Sequence, residues 1–322
     1  MAKYKTYDYR QRVLLPVSLE DQLMSGTLEF AIHTLVEKRL DMSIFEGKYC
    51  NDETGRAAYD PKILLKVVLL AYSRGLISSR KIEQACRENV VFMALACGQQ
   101  PDHSTIAAFV SSMKDEILPL FRDVLLVCEE MNLLGGTMFA LDGCKLPSNA
   151  SKELSGTIAE LRKKKEKIET KVAQLLAEQM ETDRGQGEPP RPKASGASRQ
   201  QQVEKLQKKA ELIETWLAGN QPKIGAAGRE KQSNITDNDS ATMMTSHGAV
   251  QGYNSQALID AKHQVIVHGE ASGNGQDHGH VPPMLEGTRA NLQSIGYGAA
   301  CLTGKILTAD SNYHSLVNLK KC

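Results

Sequence analysis

Two apolar stripes constrain this 322-residue chain more than any other feature of it. Leu154, Ile158, Leu161, Lys165, Ile168, Val172, Leu175 and Gln179 step alternately by four and three, and Val203, Leu206, Ala210, Ile213 and Leu217 do the same. A repeat of this kind keeps one seam of a helix turned toward a partner helix. Between the stripes, TDRGQGEPPRPKASGAS (182–198) is too rich in Gly and Pro to be helical. The spacing predicts an antiparallel coiled-coil hairpin over 152–231, inserted as an arm into a chain whose flanks follow other patterns.

The flank before it, residues 1–134, reads as helices. In YDPKILLKVVLLAYSRGL, Asp60 stands at an N-cap position and Pro61 at the first helical position. SSRKIEQACRENVVFMALACG reads as one helix capped by Ser79, with Ile82, Ala85, Cys86, Val90 and Met93 at helical spacing and Gly98 as its stop. Asp102 then opens a stretch that reads as two helices joined near Pro119. Short helices with tight junctions fit a helix-turn-helix, and they fit an ordinary small helical bundle at least as well. The surface residues suited to a DNA backbone are Arg74, Arg80, Lys81, Ser104 and Thr105, each of which serves equally as a plain helix-surface residue.

On either side of the arm the pattern turns to strands. Residues 135–151 contain a β-rich run, Thr137 to Leu141, that delivers Asp142 and then Gly143. In 232–322, AVQGYNSQALIDAK and HQVIVHGEAS read as a long hairpin turning near 260–263. VPPMLEGTRANLQSIG reads as a helix begun by Pro282 and Pro283, and KILTADSNYHS as a short strand delivering Asp310. The order strand, arm, hairpin, helix, strand predicts a mixed sheet with a long insertion after its first strand. The fold class expected is therefore α+β, mixed, with a helical N-terminal domain.

Charge is unevenly spread: residues 152–231 carry 17 basic and 12 acidic side chains, whereas 1–136, 137–151 and 232–322 balance at −2, 0 and −2. Only the arm is basic, which gives weak compositional support for a nucleic-acid partner. With 41% hydrophobic residues the chain can bury a real core, and no apolar run approaches the roughly 18 residues a membrane span needs. Seven cysteines without CxxC spacing read as reduced core thiols, against a disulfide framework or a zinc ribbon. A soluble cytoplasmic protein is expected.

Asp142 and Asp310, each placed by this reading at the C-terminal end of a strand, would share one sheet edge if their strands are neighbours. Oxygen ligands of this kind suit Mg²⁺ or Mn²⁺ and metal-assisted phosphodiester chemistry. Asp237 and Asp239 in TDNDS read as an Asx turn, and Asp277, His278 and His280 in DHGH as capping sequence before a helix. GEASGNGQ lacks the following GKS or GKT of a phosphate loop.

Taken in order, YDPKILLKVVLLAYSRGLISSRKIEQAC, PDHSTIAAF, ALDGCKLPSNAS, ITDNDSATM, VQGYNSQALIDAKHQVIV and LTADSNYHS resemble bacterial insertion-sequence DDE transposases of the IS1182-like, IS4/IS5-related type, from about residue 10 onward. The resemblance implies an RNase H-like core with a Mg²⁺-binding carboxylate triad, Asp142 and Asp310 being its first and second acids. It implies a helical domain that recognises terminal inverted repeats, target DNA as a second partner, nucleoid association and oligomers of the chain with itself or with intact transposase. It also implies that Tyr253 and Asn254 of GYN line the core. The family's third acid, a Glu, lies on a helix well beyond the second Asp, and the twelve residues after Asp310 contain no acid. A C-terminally truncated transposase with an incomplete RNase H-like core and little cleavage activity is thus expected. The alternative is a non-catalytic inverted-repeat-binding or dominant-negative fragment; the order of the motifs argues against an unrelated coiled-coil scaffold.

Overall fold

A computed structural model describes residues 18–48, 57–183, 199–225, 228–246 and 248–321. Cys50, Cys322 and residues 184–198 of the Gly- and Pro-rich stretch lie outside the described residues. The chain is a mixed α/β protein that divides into two compact units, Met1–Leu133 and Leu134–Cys322.

The first unit is helical: α1 (Leu28–Lys38), α2 (Pro61–Ser73), α3 (Ser79–Glu88), α4 (Val90–Leu95), α5 (His103–Ser112) and α6 (Ile117–Glu130). Its centre is α2, started by Asp60 accepting from the Lys62 amide at 2.8 Å with Pro61 at the head of the helix. Eight of its residues are buried, from Ile63 to Ala71, because α1, α3, α4 and α5 all pack around it. Two sequence expectations fail here. Asn89 is extended and its side chain accepts from the Val91 and Phe92 amides, so the single helix expected after Ser79 becomes α3 and α4; Ser78, not Ser79, precedes α3 and makes no side-chain cap. Pro119 does not separate helices but sits in the first turn of α6, where its missing N–H costs nothing; the junction is at 113–116. The thiols also differ from expectation: Cys86 is buried, whereas Cys97 and Cys144 are exposed.

The second unit contains β1 (Met138–Pro147), β2 (Ser155–Gly156), α7 (Ile158–Asp183), α8 (Arg199–Gly219), β3 (Lys223–Ile224), β4 (Glu230–Lys231), β5 (Ser233–Asn234), β6 (Ala241–Thr245), β7 (Gly248–Asp260), β8 (Val265–Ser272), α9 (Val281–Ser294), β9 (Ile306–Ala309) and α10 (Leu316–Lys321). The main sheet runs β6-β7-β1-β9, with β8 beside the other half of β7's outer edge. All pairs are antiparallel except β1–β9. Along β7 alternate residues are buried, which puts Asn254, Gln256, Leu258 and Asp260 on one face. Helix α9 covers the sheet through Val281, Met284 and Leu292, and Asn291 Nδ2 donates to Val267 O at 3.1 Å.

Asp260 fastens the approach to β1. Its carboxylate accepts from the amides of Gly135 (3.0 Å), Gly136 (2.7 Å) and Lys262 (2.9 Å). Both glycines are needed: Gly136 has φ +62°, and a Cβ on Gly135 would stand 2.9 Å from Lys262 Cβ.

Helices α7 and α8 pack against each other in opposite directions. Leu161 meets Ile213, Trp216 and Leu217 at the root, while Val172 and Leu175 meet Val203 and Leu206 further out. Leu154 packs beneath the root but precedes the helix, which starts at Ile158. Polar groups lock this root. Asn234, fully buried, donates to Ser151 O and Ser155 Oγ, both at 2.8 Å, and accepts from the amides of Thr236 and Asp237. Buried Gln251 takes hydrogen bonds from Ser155 and Thr242 and gives one to Ser240. Every one of these groups would be costly if left unpaired, so together they define one geometry for the hairpin's base.

One ion pair in the helical unit generates a stability prediction. Lys66 is 4% exposed, and its Nζ donates to Glu37 at 2.9 Å; Lys62 reaches the other Glu37 oxygen at 3.2 Å. The Lys66 hydrogen bond is the main reason the Glu37 carboxyl lies below its ordinary value of 4.5. A lowered carboxyl contributes stability above that value, which is lost as pH falls through the folded-state value. Glu37→Ala should cost roughly 3 kcal/mol, the low end for a broken buried pair because Glu37 is itself 31% exposed. Lys66→Met with Glu37→Leu, which removes both charges and keeps the volume, should leave stability unchanged or raised. Urea unfolding of both variants reads the difference; equal losses would refute it.

Candidate functional site

The parallel ladder of β1 and β9 pairs Met138 with Ile306 and Leu141 with Ala309. The next residue on each strand is an aspartate, so the register sets Asp142 beside Asp310 although 167 residues separate them in the chain. One correction applies. Asp142 is not at the end of its strand: β1 continues to Pro147, because β7 is long enough to pair with it as far as Gly252. Asp310 does stand just past the end of β9. Both carboxylates are exposed. Asp142 Oδ1 accepts from the Gly143 amide at 2.7 Å, and Asp310 accepts from Ser311 Oγ (3.0 Å) and Asn312 Nδ2 (3.2 Å).

Behind the pair lies a buried polar chain. Tyr313, three residues past Asp310, donates through its hydroxyl to Gln256 Oε1. Gln256 Nε2 donates to Asn254 Oδ1 (3.0 Å) and Asp277 Oδ1 (3.3 Å), and Asn254 Nδ2 donates to the same Asp277 oxygen (2.7 Å) and to Asn274 O (3.1 Å). Lys145 Nζ stands 4.0 Å from Asp277 Oδ2. Asn318 secures the turn by donating to Tyr313 O (2.6 Å) and His278 O (2.8 Å). Burial is the largest cause that pushes the Tyr313 phenol up to about 12, followed by the charges of Asp277, Asp142 and Asp310. One neutral hydroxyl therefore sits within the field of all three carboxylates.

Sequence reasoning missed Gln256, Tyr313 and the use made of Asp277. Asp277 is not a helix cap: His280 precedes α9, which has no side-chain cap, and the Asp277 carboxylate instead holds two buried amides. A detectable signal existed, since Asn254, Gln256 and Asp260 recur at even spacing among the inward positions of a strand. His280 is buried, with Nε2 3.4 Å from Ser272 Oγ and Asn274 O, while His278 is exposed. Among the described residues no three of His, Cys, Asp and Glu lie close enough together to hold a metal ion.

The remaining sequence candidates scatter. Tyr253, on the other face of β7 from Asn254, donates to both Asp237 oxygens at 2.8 Å; burial and Asp237 push its phenol up to about 12. Asp237 also accepts from the Ser240 amide at 3.3 Å, forming the turn its sequence suggests, and Asp239 adds a charge near Tyr253. In the helical unit Arg74 is occupied, 3.4 Å from Glu29 and 5.7 Å from the centre of the Phe92 ring. Ser104 Oγ and the Thr105 amide both donate to Asp102, at 2.6 and 2.8 Å, which lowers that carboxyl to about 2. Arg80 and Lys81 are exposed in the first turn of α3 and make no ion pair among the described residues.

Gly143 faces Gln256 across the β1–β7 ladder, and a Cβ there would stand 2.3 Å from Gln256 Nε2. Gly143→Ala should therefore cost about 1–3 kcal/mol through overpacking, and Gln256→Ala in the same chain should recover most of that clash. A double-mutant cycle by urea unfolding measures the coupling; strictly additive losses would show that the contact does not matter.

Residues 17–112 match the family model described as a transposase domain (DUF772), which supports a transposase family for the chain. Neither the curated proteins nor the solved structures contain a match.

Proposed function

We propose that this chain is the transposase of a bacterial insertion sequence, with Asp142 and Asp310 as the carboxylates of a metal-dependent DNA strand-transfer site. The observation that carries this reading is the parallel β1–β9 register that brings the two aspartates together. The transposase-domain match over 17–112 agrees with it. So does the sheet: three antiparallel strands, β8-β7-β1, continued by the parallel β9, is the order expected of an RNase H-like core.

The donor set fits Mg²⁺ or Mn²⁺, which take oxygen ligands, keep several waters and bind through one or two carboxylates plus substrate phosphates. Such an ion, when bound, activates an attacking hydroxyl and stabilises the leaving oxygen. The protein's part is to hold Asp142 and Asp310 at one place on the sheet, exposed to substrate. Ser311 and Asn312 orient the Asp310 carboxylate, and the Gly143 amide orients that of Asp142. The Tyr313–Gln256–Asp277 chain fixes the turn behind Asp310 to strand β7. In this reading the helical unit, residues 1–134, binds the terminal inverted repeats, with Arg80 and Lys81 the freest basic candidates and Arg74, Ser104 and Thr105 already engaged locally. Target DNA is the second substrate, and copies of the chain assemble with one another or with related transposases.

A second reading, a DNA-binding product without strand cleavage, is favoured by the donor set: two carboxylates meet, and no third His, Cys, Asp or Glu among the described residues joins them. Both readings are tested by titrating Mn²⁺ into the full chain and by following nicking of a supercoiled plasmid carrying the element's ends in Mg²⁺. The first reading expects weak Mn²⁺ binding and slow nicking, both lost in Asp142→Asn and in Asp310→Asn. Mn²⁺ binding unchanged by either substitution would overturn the assignment of the pair. End-specific DNA binding without nicking would establish the second reading.

A further inference from the structure

Three lysines of the α7–α8 hairpin are engaged locally. Lys164 donates to the carbonyls of Glu153 (2.9 Å) and Ser155, Lys165 bridges Glu169 (3.4 Å) and Glu214 (3.0 Å), and Lys209 pairs with Glu153 at 2.6 Å. These hold the hairpin to itself and to its root. Lys163, Lys167 and Lys171 are different. They recur every four residues along α7, they are exposed, and they make no hydrogen bond or ion pair among the described residues. At about 100° per residue Lys163 and Lys167 lie away from the seam formed by Leu161, Ile168, Val172 and Leu175, and Lys171 lies on its flank. The acids of this stretch offset them only in part: Glu169 is taken by Lys165, which leaves Glu160 and Glu166.

From this division of labour we infer that the outer face of α7 is a docking surface for the phosphate backbone of duplex DNA, through Lys163, Lys167 and Lys171. The inference rests on the transposase reading above and extends it, since that reading places DNA only at the helical unit and at the aspartate pair. Three ammonium groups at steps of about 6 Å span about 12 Å of helix, and a DNA strand offers one phosphate per about 3.4 Å of its axis, so several phosphates fall within reach. Flexible lysines without a base-reading partner recognise charge and not sequence. The surface is held in place because Asn234, Ser155 and Gln251 lock the hairpin's root into the unit that bears Asp142 and Asp310. DNA gripped by the arm is thereby held at a set position relative to the aspartates.

The test uses the full chain and a fluorescent 30-base-pair duplex of arbitrary sequence, with binding followed by anisotropy across a range of salt concentrations. Each neutralised phosphate contributes about −0.9 to the slope of log affinity against log salt. The variant Lys163→Gln/Lys167→Gln/Lys171→Gln should therefore flatten the slope by about 2–3 and weaken low-salt binding at least tenfold. Lys205→Gln/Lys208→Gln, exposed on α8, should leave the slope unchanged. Circular dichroism confirms that both variants remain helical; if the glutamine variant unfolds, Lys→Arg at the same three positions must keep the wild-type slope. If the wild type binds the duplex and the glutamine variant keeps its affinity and slope, the arm is a solvated surface and this inference fails while the transposase reading stands. A wild type that binds neither this duplex nor one carrying the element's ends overturns both.

Discussion

The parallel pairing of β1 with β9 is the constraint on which the proposed chemistry depends. Four register pairs join strands from opposite ends of the second unit, and the aspartates follow one residue beyond the last pair. Parallel neighbours need a crossover, and here α9 lies between β8 and β9 in the chain and covers the sheet. A slip of one residue in this ladder would turn one aspartate to the opposite face. The buried chain from Tyr313 through Gln256 to Asp277 opposes such a slip, because it connects the segment after β9 to β7 independently of the ladder.

Strand β7 bears more of the unit than any other element. It pairs with β1 on one edge and with β6 and β8 on the other, and its buried face carries three polar side chains with different duties. Asn254 and Gln256 organise the floor beneath the aspartates, and Asp260 ties down the approach to β1. Gln251, at the start of the strand, ties down the hairpin's root. Satisfied polar networks of this kind specify a single arrangement more sharply than apolar packing does. The hairpin is a long insertion by sequence, yet its two ends meet in the Ser155–Asn234 ladder, so the sheet closes as though the arm were absent.

In the proposed reading the aspartate pair and the arm divide two tasks. Exposed carboxylates can attract a divalent ion but repel DNA, and residues 232–322 carry a −2 balance; residues 152–231 carry +5. Placing the positive charge on an inserted arm lets the protein attract phosphates without setting lysines against the carboxylates that are proposed to hold the metal.

The elements legible in the sequence were those governed by local rules. Asp60–Pro61 marked the start of α2, the heptad steps marked the seam of α7 and α8, and the alternation of 248–260 with 265–272 marked the β7–β8 hairpin. Each signal lies within a few turns of chain, where capping, periodicity and turn chemistry act. The break at Asn89 and the place of Pro119 were misread because a cap and a first-turn proline look alike in continuous and interrupted helices. What only the tertiary structure decided was the use of side chains whose partners are distant. Gly143 is required by Gln256, Asp277 serves Asn254, and Arg74 is spent on Glu29 and Phe92. The sequence by itself thus determined the elements that carry local signals and named both aspartates; pairing between strands far apart in the chain decided that the two stand side by side, because register is a property of the ladder and not of either strand alone.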